Sequence, residues 1–144
     1  MKPNNFLDVS KKILHAYNKL CEPILKEFDL PQVSFDILMF LSNNPEYSTA
    51  QEISEIRHIK KNLVSVHVEK LVSTGLLMRG SIDGDRRKKA LICTEKAAPI
   101  VEAGQKMQLA FFERLSTGIS EEQWNIYKEI HDTIEANAQK IVNG

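Results

Sequence analysis

A chain of 144 residues with zero formal net charge and 42% hydrophobic residues has the size of one domain, roughly 100–200 residues, and can bury a modest core. That length leaves no room for a separate catalytic domain beside the elements read below. A neutral total argues on its face against nucleic acid, so the distribution of charge has to decide.

In chain order, Phe6, Val9, Ile13, Tyr17, Leu20, Ile24 and Phe28 keep a three-to-four spacing. The spacing predicts a long amphipathic helix from about Asn5 to Phe28, with a kink where Pro23 removes a backbone donor. Asp29-Leu30-Pro31 breaks it. Val33, Ile37, Leu38, Met39 and Leu41 then predict a mostly buried second helix that stops by Asn43-Asn44-Pro45. Ser48 with Gln51, and equally Thr49 with Glu52, fits a capping box opening a short third helix that runs to about Ile56.

The turn Arg57-His58-Ile59 separates that helix from a fourth, whose apolar face is Val64, Val68, Leu71 and Val72. Gly75 ends it as a C-terminal glycine does. Leu76-Leu77-Met78 reads as a strand, residues 81–88 as a tight basic turn, and Lys89–Cys93 as a returning strand, so the turn becomes a hairpin tip projecting consecutive cations. A helix pair followed by a basic hairpin is the layout of a winged helix-turn-helix, with the helix in the major groove and the hairpin on backbone or minor groove.

Past the hairpin, Thr94 is expected to cap a fifth helix through about Leu115, carrying Ile100, Val101, Met107, Phe111 and Phe112. Ser120 with Gln123 is another capping box, and Trp124, Tyr127, Ile130, Ile134, Ala138 and Ile141 stripe a sixth helix to the C-terminus. The fold class is therefore mainly α with a small β-hairpin. Residues of about 31–93 form a winged-helix lobe within a single domain spanning 1–144. The first, fifth and sixth helices, about 5–28 and 94–143, carry more apolar stripe than such a lobe can cover, so they are expected to pair with a second copy of the chain. Two-fold symmetry would set two recognition helices about one DNA turn apart on a pseudo-palindromic site.

The charge is segregated. Between Arg57 and Lys89 stand nine cations against three carboxylates, Glu69, Asp83 and Asp85, so this stretch is strongly positive and the remainder of the neutral chain carries the matching negative excess. Phosphate binding responds to the local field, so double-stranded DNA is the leading partner. Lys60, Lys61 and Arg79 can only donate, which suits phosphate oxygens. Asn62 can read an adenine edge, Ser65 can donate or accept, and Val66 can touch a thymine methyl. Arg86 or Arg87 in a narrow minor groove would read its shape, with Lys88 in the same basic run.

The order of these parts, and several residues within them, resemble the MarR family of winged-helix regulators. The resemblance is carried by Leu71-x-x-x-Gly75-Leu76-x-x-Arg79 followed by Asp85-x-Arg87, within a longer run from residues 22–41 through Thr49–Ile56 to Cys93–Ala97. It implies groove-facing positions at Lys61, Asn62, Ser65 and Val66, a wing-tip arginine at Arg87, and an acidic partner that sets the wing at Asp85. Val66 stands where many members have arginine, His58 where many have glycine, and Ala97 where a glycine commonly follows the wing. The resemblance also implies a homodimeric, ligand-responsive repressor with a small effector of unknown identity bound between the dimerisation helices and the DNA-binding lobe.

Other readings are weaker. There is no Gly-rich phosphate loop, no HExxH and no Gly-x-Ser-x-Gly, so no enzyme is expected. No His/Cys spacing resembles a zinc site, and no metal or cofactor is expected. His58 and His67 read as turn or helix-surface residues, and Tyr17, Phe35, Phe40, Phe111 and Phe112 as core. Cys21 and Cys93 have no paired spacing, no signal-like run opens the chain, and no apolar stretch reaches a membrane span, so a reduced, cytoplasmic protein without membrane contact is expected. Two alternatives remain: a redox-responsive regulator working through Cys21, and a winged-helix module that binds protein without binding DNA.

Overall fold

The three-to-four spacing of Phe6 through Phe28 is carried, in a computed structural model of the protein, on one helix, α1, Pro3–Phe28. The structure describes the backbone of residues 2–82 and 85–144, and side chains other than those of residues 81–89. α1 starts two residues earlier than the spacing suggests because Pro3 occupies its first turn, where a missing N–H costs nothing. The helix is unbroken across Pro23. It ends at Asp29, in the left-handed region at φ 52, and Leu30 N–H closes on Leu25 O at 2.9 Å.

Then come α2, Gln32–Asn43, α3, Ala50–Arg57, and α4, Lys61–Ser73. α2 is the hub. It buries Ser34, Phe35 and the unbroken run Ile37–Leu41, as expected of a helix apolar nearly all round. Of the two capping boxes the sequence allows at α3, Thr49 with Glu52 forms. Thr49 Oγ1 accepts from Glu52 N–H at 3.2 Å, and Glu52 Oε1 accepts from Thr49 N–H at 3.1 Å and from Ser48 N–H at 3.2 Å. Gln51 instead bonds Glu55.

β1, Leu77–Ile82, and β2, Asp85–Cys93, pair antiparallel, with Leu77 opposite Cys93 and Ser81 opposite Lys89. Both strands run further than expected. Their backbone takes in residues 81, 82 and 85–88, placed by the sequence in a turn, and the register shifts between Ser81 and Ile82. The base of the hairpin is pinned twice: Leu91 N–H donates to Ser48 O at 2.6 Å and Thr94 N–H to Leu76 O at 3.1 Å.

Thr94 does not cap a helix with its side chain. A 3₁₀ turn, Glu95–Ala97, intervenes before α5, Ala98–Leu115, and the Thr94 hydroxyl donates instead to Gly75 O at 2.5 Å. The last helix is α6, Glu121–Asn143, opened by the expected box in which Gln123 N–H reaches Ser120 Oγ at 3.1 Å and Ser120 N–H reaches Gln123 Oε1 at 2.9 Å.

Residues fall into two compact units, Met1–Leu109 and Ala110–Gly144. The first holds the core, in which Phe35, Ile37, Leu38, Ile53, Leu71 and Leu77 are at most 2% exposed. α5 approaches α2 closely at Gly104, where a Cβ would collide with Met39 Sδ. In the second unit Phe112 stacks at a tilt on Trp124, centroids 5.2 Å apart, and Trp124 meets Tyr127 edge-on at 5.3 Å. Phe112, expected in the core, is exposed. α6 has no buried residue. No helix among the described residues is long and apolar enough to cross a membrane.

Candidate nucleic-acid interface

Helical periodicity divides α4 into two faces. Val64, Val68 and Leu71 are buried, and Ile53 of α3 is fully buried. This fixes the helix against the core and leaves Lys61, Asn62, Ser65 and Val66 exposed, with Lys60 exposed just before it. Val66 is 64% exposed, a β-branched apolar side chain held in water on the same turns as the polar candidates. The sequence-predicted helix residues are thus gathered on one accessible surface. Lys60, the N-cap of α4, makes no side-chain capping bond, so the first-turn N–H groups, together with Lys60 and Lys61, favour an anion there.

The turn between α3 and α4 is made by His58 in the left-handed region, φ 54. Its N–H returns to Ser54 O, Ile59 N–H does the same at 3.3 Å, and Ser54 Oγ donates to Ile59 O at 2.6 Å. A histidine therefore adopts the conformation a glycine would take freely, at a cost of roughly 1–2 kcal/mol that the three local bonds offset.

Arg79 has a partner within the chain. Its guanidinium on β1 is hydrogen-bonded to the Glu69 carboxylate on the outward side of α4. The pair joins α4 to β1 and lowers the charge Arg79 can offer to an anion. Asp85, Arg86, Arg87 and Lys88 lie in the backbone of β2, but their side chains fall outside the described residues. The expected grouping of four cations at the tip therefore lies outside the description too.

Sequence reasoning missed three contacts that set this surface. Glu69–Arg79 joins two elements with no shared period. His67, read as a surface residue, is half-buried, and its Nδ1 is 2.9 Å from Oγ of Ser34, a residue only 1% exposed on α2. Lys96 Nζ donates to Thr74 O at 2.5 Å and, with the Thr94–Gly75 bond, closes the carbonyl end of α4. A hydroxyl or lysine just past the hairpin was the only visible hint.

Burial raises the thiol pKa of both Cys21, which is fully buried, and Cys93, and neither forms a disulfide. Burial likewise raises Asp36, although Gln32 and Arg57 pull it back, and pushes the Tyr17 phenol up to about 12. Among the described residues one group has the composition of a cation site, His131, Asp132 and Glu135, all exposed along one turn of α6. Such spacing is ordinary on a solvated helix.

Comparison with known proteins agrees with this geometry. Residues 28–88 match the model of the MarR family, a span covering α2, α3, α4 and most of the hairpin. Among solved structures, the transcriptional regulator PA3341 aligns over 94% of this chain and 98% of its own, with a TM-score of 0.83 and 21% identity. A MarR transcriptional regulator from Methanosarcina mazei Go1 covers 98% and 94%, at 0.79 and 18%. A MarR family regulator from Listeria monocytogenes, solved complexed with 26mer DNA, covers 92% and 87%, at 0.78 and 17%. These likenesses show the fold, a winged helix flanked by long helices.

Proposed function

We propose, from the premise that residues 28–88 are a MarR family winged-helix segment, that the chain is a DNA-binding transcriptional regulator, a homodimeric, cytoplasmic repressor released by a small-molecule effector. The observation that carries the reading is the two-faced α4, whose core side is locked by Val64, Val68 and Leu71 while Lys61, Asn62, Ser65 and Val66 stand exposed at its uncapped start. The Listeria relative complexed with DNA supports the same use of the fold.

In this reading Lys60 and Lys61 hold phosphates, and Asn62, Ser65 and Val66 meet base edges. Arg86, Arg87 and Lys88 reach the backbone or minor groove from the wing, and Asp85 sets the wing's shape. Arg79, tied to Glu69, positions the wing against the helix more than it holds phosphate. Dimerisation is supported by the exposed apolar residues of α1 and α6, including Phe6, Val9, Ile13, Ile126, Ile130 and Ile134. A monomeric protein rarely leaves so much apolar surface in water.

Selection of bound duplexes from a random pool tests the reading. The expected product is an inverted repeat with half-sites about one helical turn, roughly 34–36 Å, apart. A pool that is not enriched contradicts it and favours the protein-binding alternative. The redox alternative has a buried thiol of raised pKa against it.

A further inference from the structure

Within the first unit, a cavity of about 330 Å³ opens where the end of α1 meets the start of α2, the last turn of α4 and the start of α5. That volume sits at the small end of ligand pockets, on the order of 300–1,000 Å³. Its apolar lining is mostly aliphatic: Leu30, Pro31, Leu71, Leu76 and Ile100, with Phe28 alone contributing a ring. Two lysines, Lys70 and Lys96, line the same space. Among the described residues neither has a carboxylate within ion-pair distance. Among the described residues Lys96 bonds the Thr74 carbonyl.

Two further features fix the polarity. Ser34, almost wholly buried, also lines the cavity, with its hydroxyl 2.9 Å from His67 Nδ1. The start of α2, with Pro31 as N-cap and no acidic residue in its first turn, lines the cavity and adds partial positive charge, while the carbonyl end of α4 on the same cavity is met by the Lys96 ammonium at Thr74 O. Asp29 is the single carboxylate in the lining, and against two lysines it leaves the cavity net positive.

We infer that this cavity binds a short-chain aliphatic carboxylate, its chain against Leu30, Leu71, Leu76 and Ile100 and its head group between Lys70 and Lys96. The inference deepens the effector part of the reading above and rests on it only for its regulatory meaning. Binding itself is tested without DNA.

Calorimetry on the full chain compares octanoate with octanol and octylamine. Octanoate is expected to bind about tenfold more tightly than octanol, the size of one charge-assisted hydrogen bond, with octylamine weaker still. The double variant Lys70→Gln/Lys96→Gln is expected to bind octanoate and octanol alike. Equal affinities in the wild type, or undiminished octanoate binding by the variant, would overturn the assignment. Methyl resonances of the wild-type protein decide independently of the variant's folding. Octanoate should shift those of Leu30, Leu71, Leu76 and Ile100, and shifts confined to α6 would overturn the site. Duplex affinity measured on the same samples separates the two claims. Octanoate binding without duplex binding sinks only the regulator, and duplex binding without octanoate binding sinks only this pocket.

Discussion

α2 and α6 are both long on apolar residues and differ in what those residues meet. α2 buries seven of its residues from Ser34 to Leu41; α6, almost twice as long, buries none. The contrast lies in pattern rather than amount. α2 is apolar on nearly every side and is surrounded by its own chain, whereas Trp124, Tyr127, Ile130 and Ile134 recur on one stripe and none of them is buried. A stripe written in sequence without burial in one chain points to intermolecular pairing.

The largest effect should therefore come from breaking that pairing. Replacing Ile130 and Ile134 with Asp is expected to leave α2's core folded yet convert dimer to monomer in sedimentation at micromolar concentration, and to abolish tight duplex binding. A wild-type protein that already sediments as a monomer would dissolve the contrast. In the core that α2 shares with α4, Leu71→Ala should lose about 2–5 kcal/mol in urea unfolding by leaving a cavity between the two helices. An unchanged midpoint would place Leu71 outside the core.

Smaller effects sharpen the difference between a helix held by packing and a surface held for binding. Arg87→Ala should weaken duplex affinity by about 1–3 kcal/mol without moving the thermal midpoint; equal affinities would remove the wing from the interface. His58→Gly should raise stability by roughly 1 kcal/mol through relief of the left-handed turn, and a lowered melting temperature would show that its side chain matters more than its backbone.

The smallest effect concerns Asp36. Burial raises its folded pKa, so the ionised form is disfavoured in the native state, a cost present above that pKa and relieved as pH falls through it. Asp36→Asn should melt above wild type at pH 8, with the gap narrowing toward pH 4. A gap that is constant with pH would contradict the burial cause.

Six helices and a hairpin were legible in the sequence because three of the helix starts carry capping or proline signals and each apolar stripe has a helical period. The strand lengths were not. Residues 81–88 are polar or charged apart from Ile82 and Gly84, and the strands extend into 81, 82 and 85–88 through backbone bonds that take no notice of side-chain polarity. The use of Thr94 also misled, since a hydroxyl before a helix caps it only if the backbone lets it, and Gly75 O lay within closer reach. Of the candidate site, Lys60, Lys61, Asn62, Ser65 and Val66 follow from the helical face opposite Val64 and Val68. Arg79 does not, because its partner Glu69 is brought alongside only by the turn from α4 into β1.

The central claim, that a neutral chain presents one helix face and an adjoining hairpin to DNA, is tested most directly by duplex affinity across a salt series. The expected result is a fall in log affinity with log salt of slope about −4 or steeper, as several phosphate contacts release their counterions. Affinity independent of salt, or no duplex binding at the lowest salt, would contradict it.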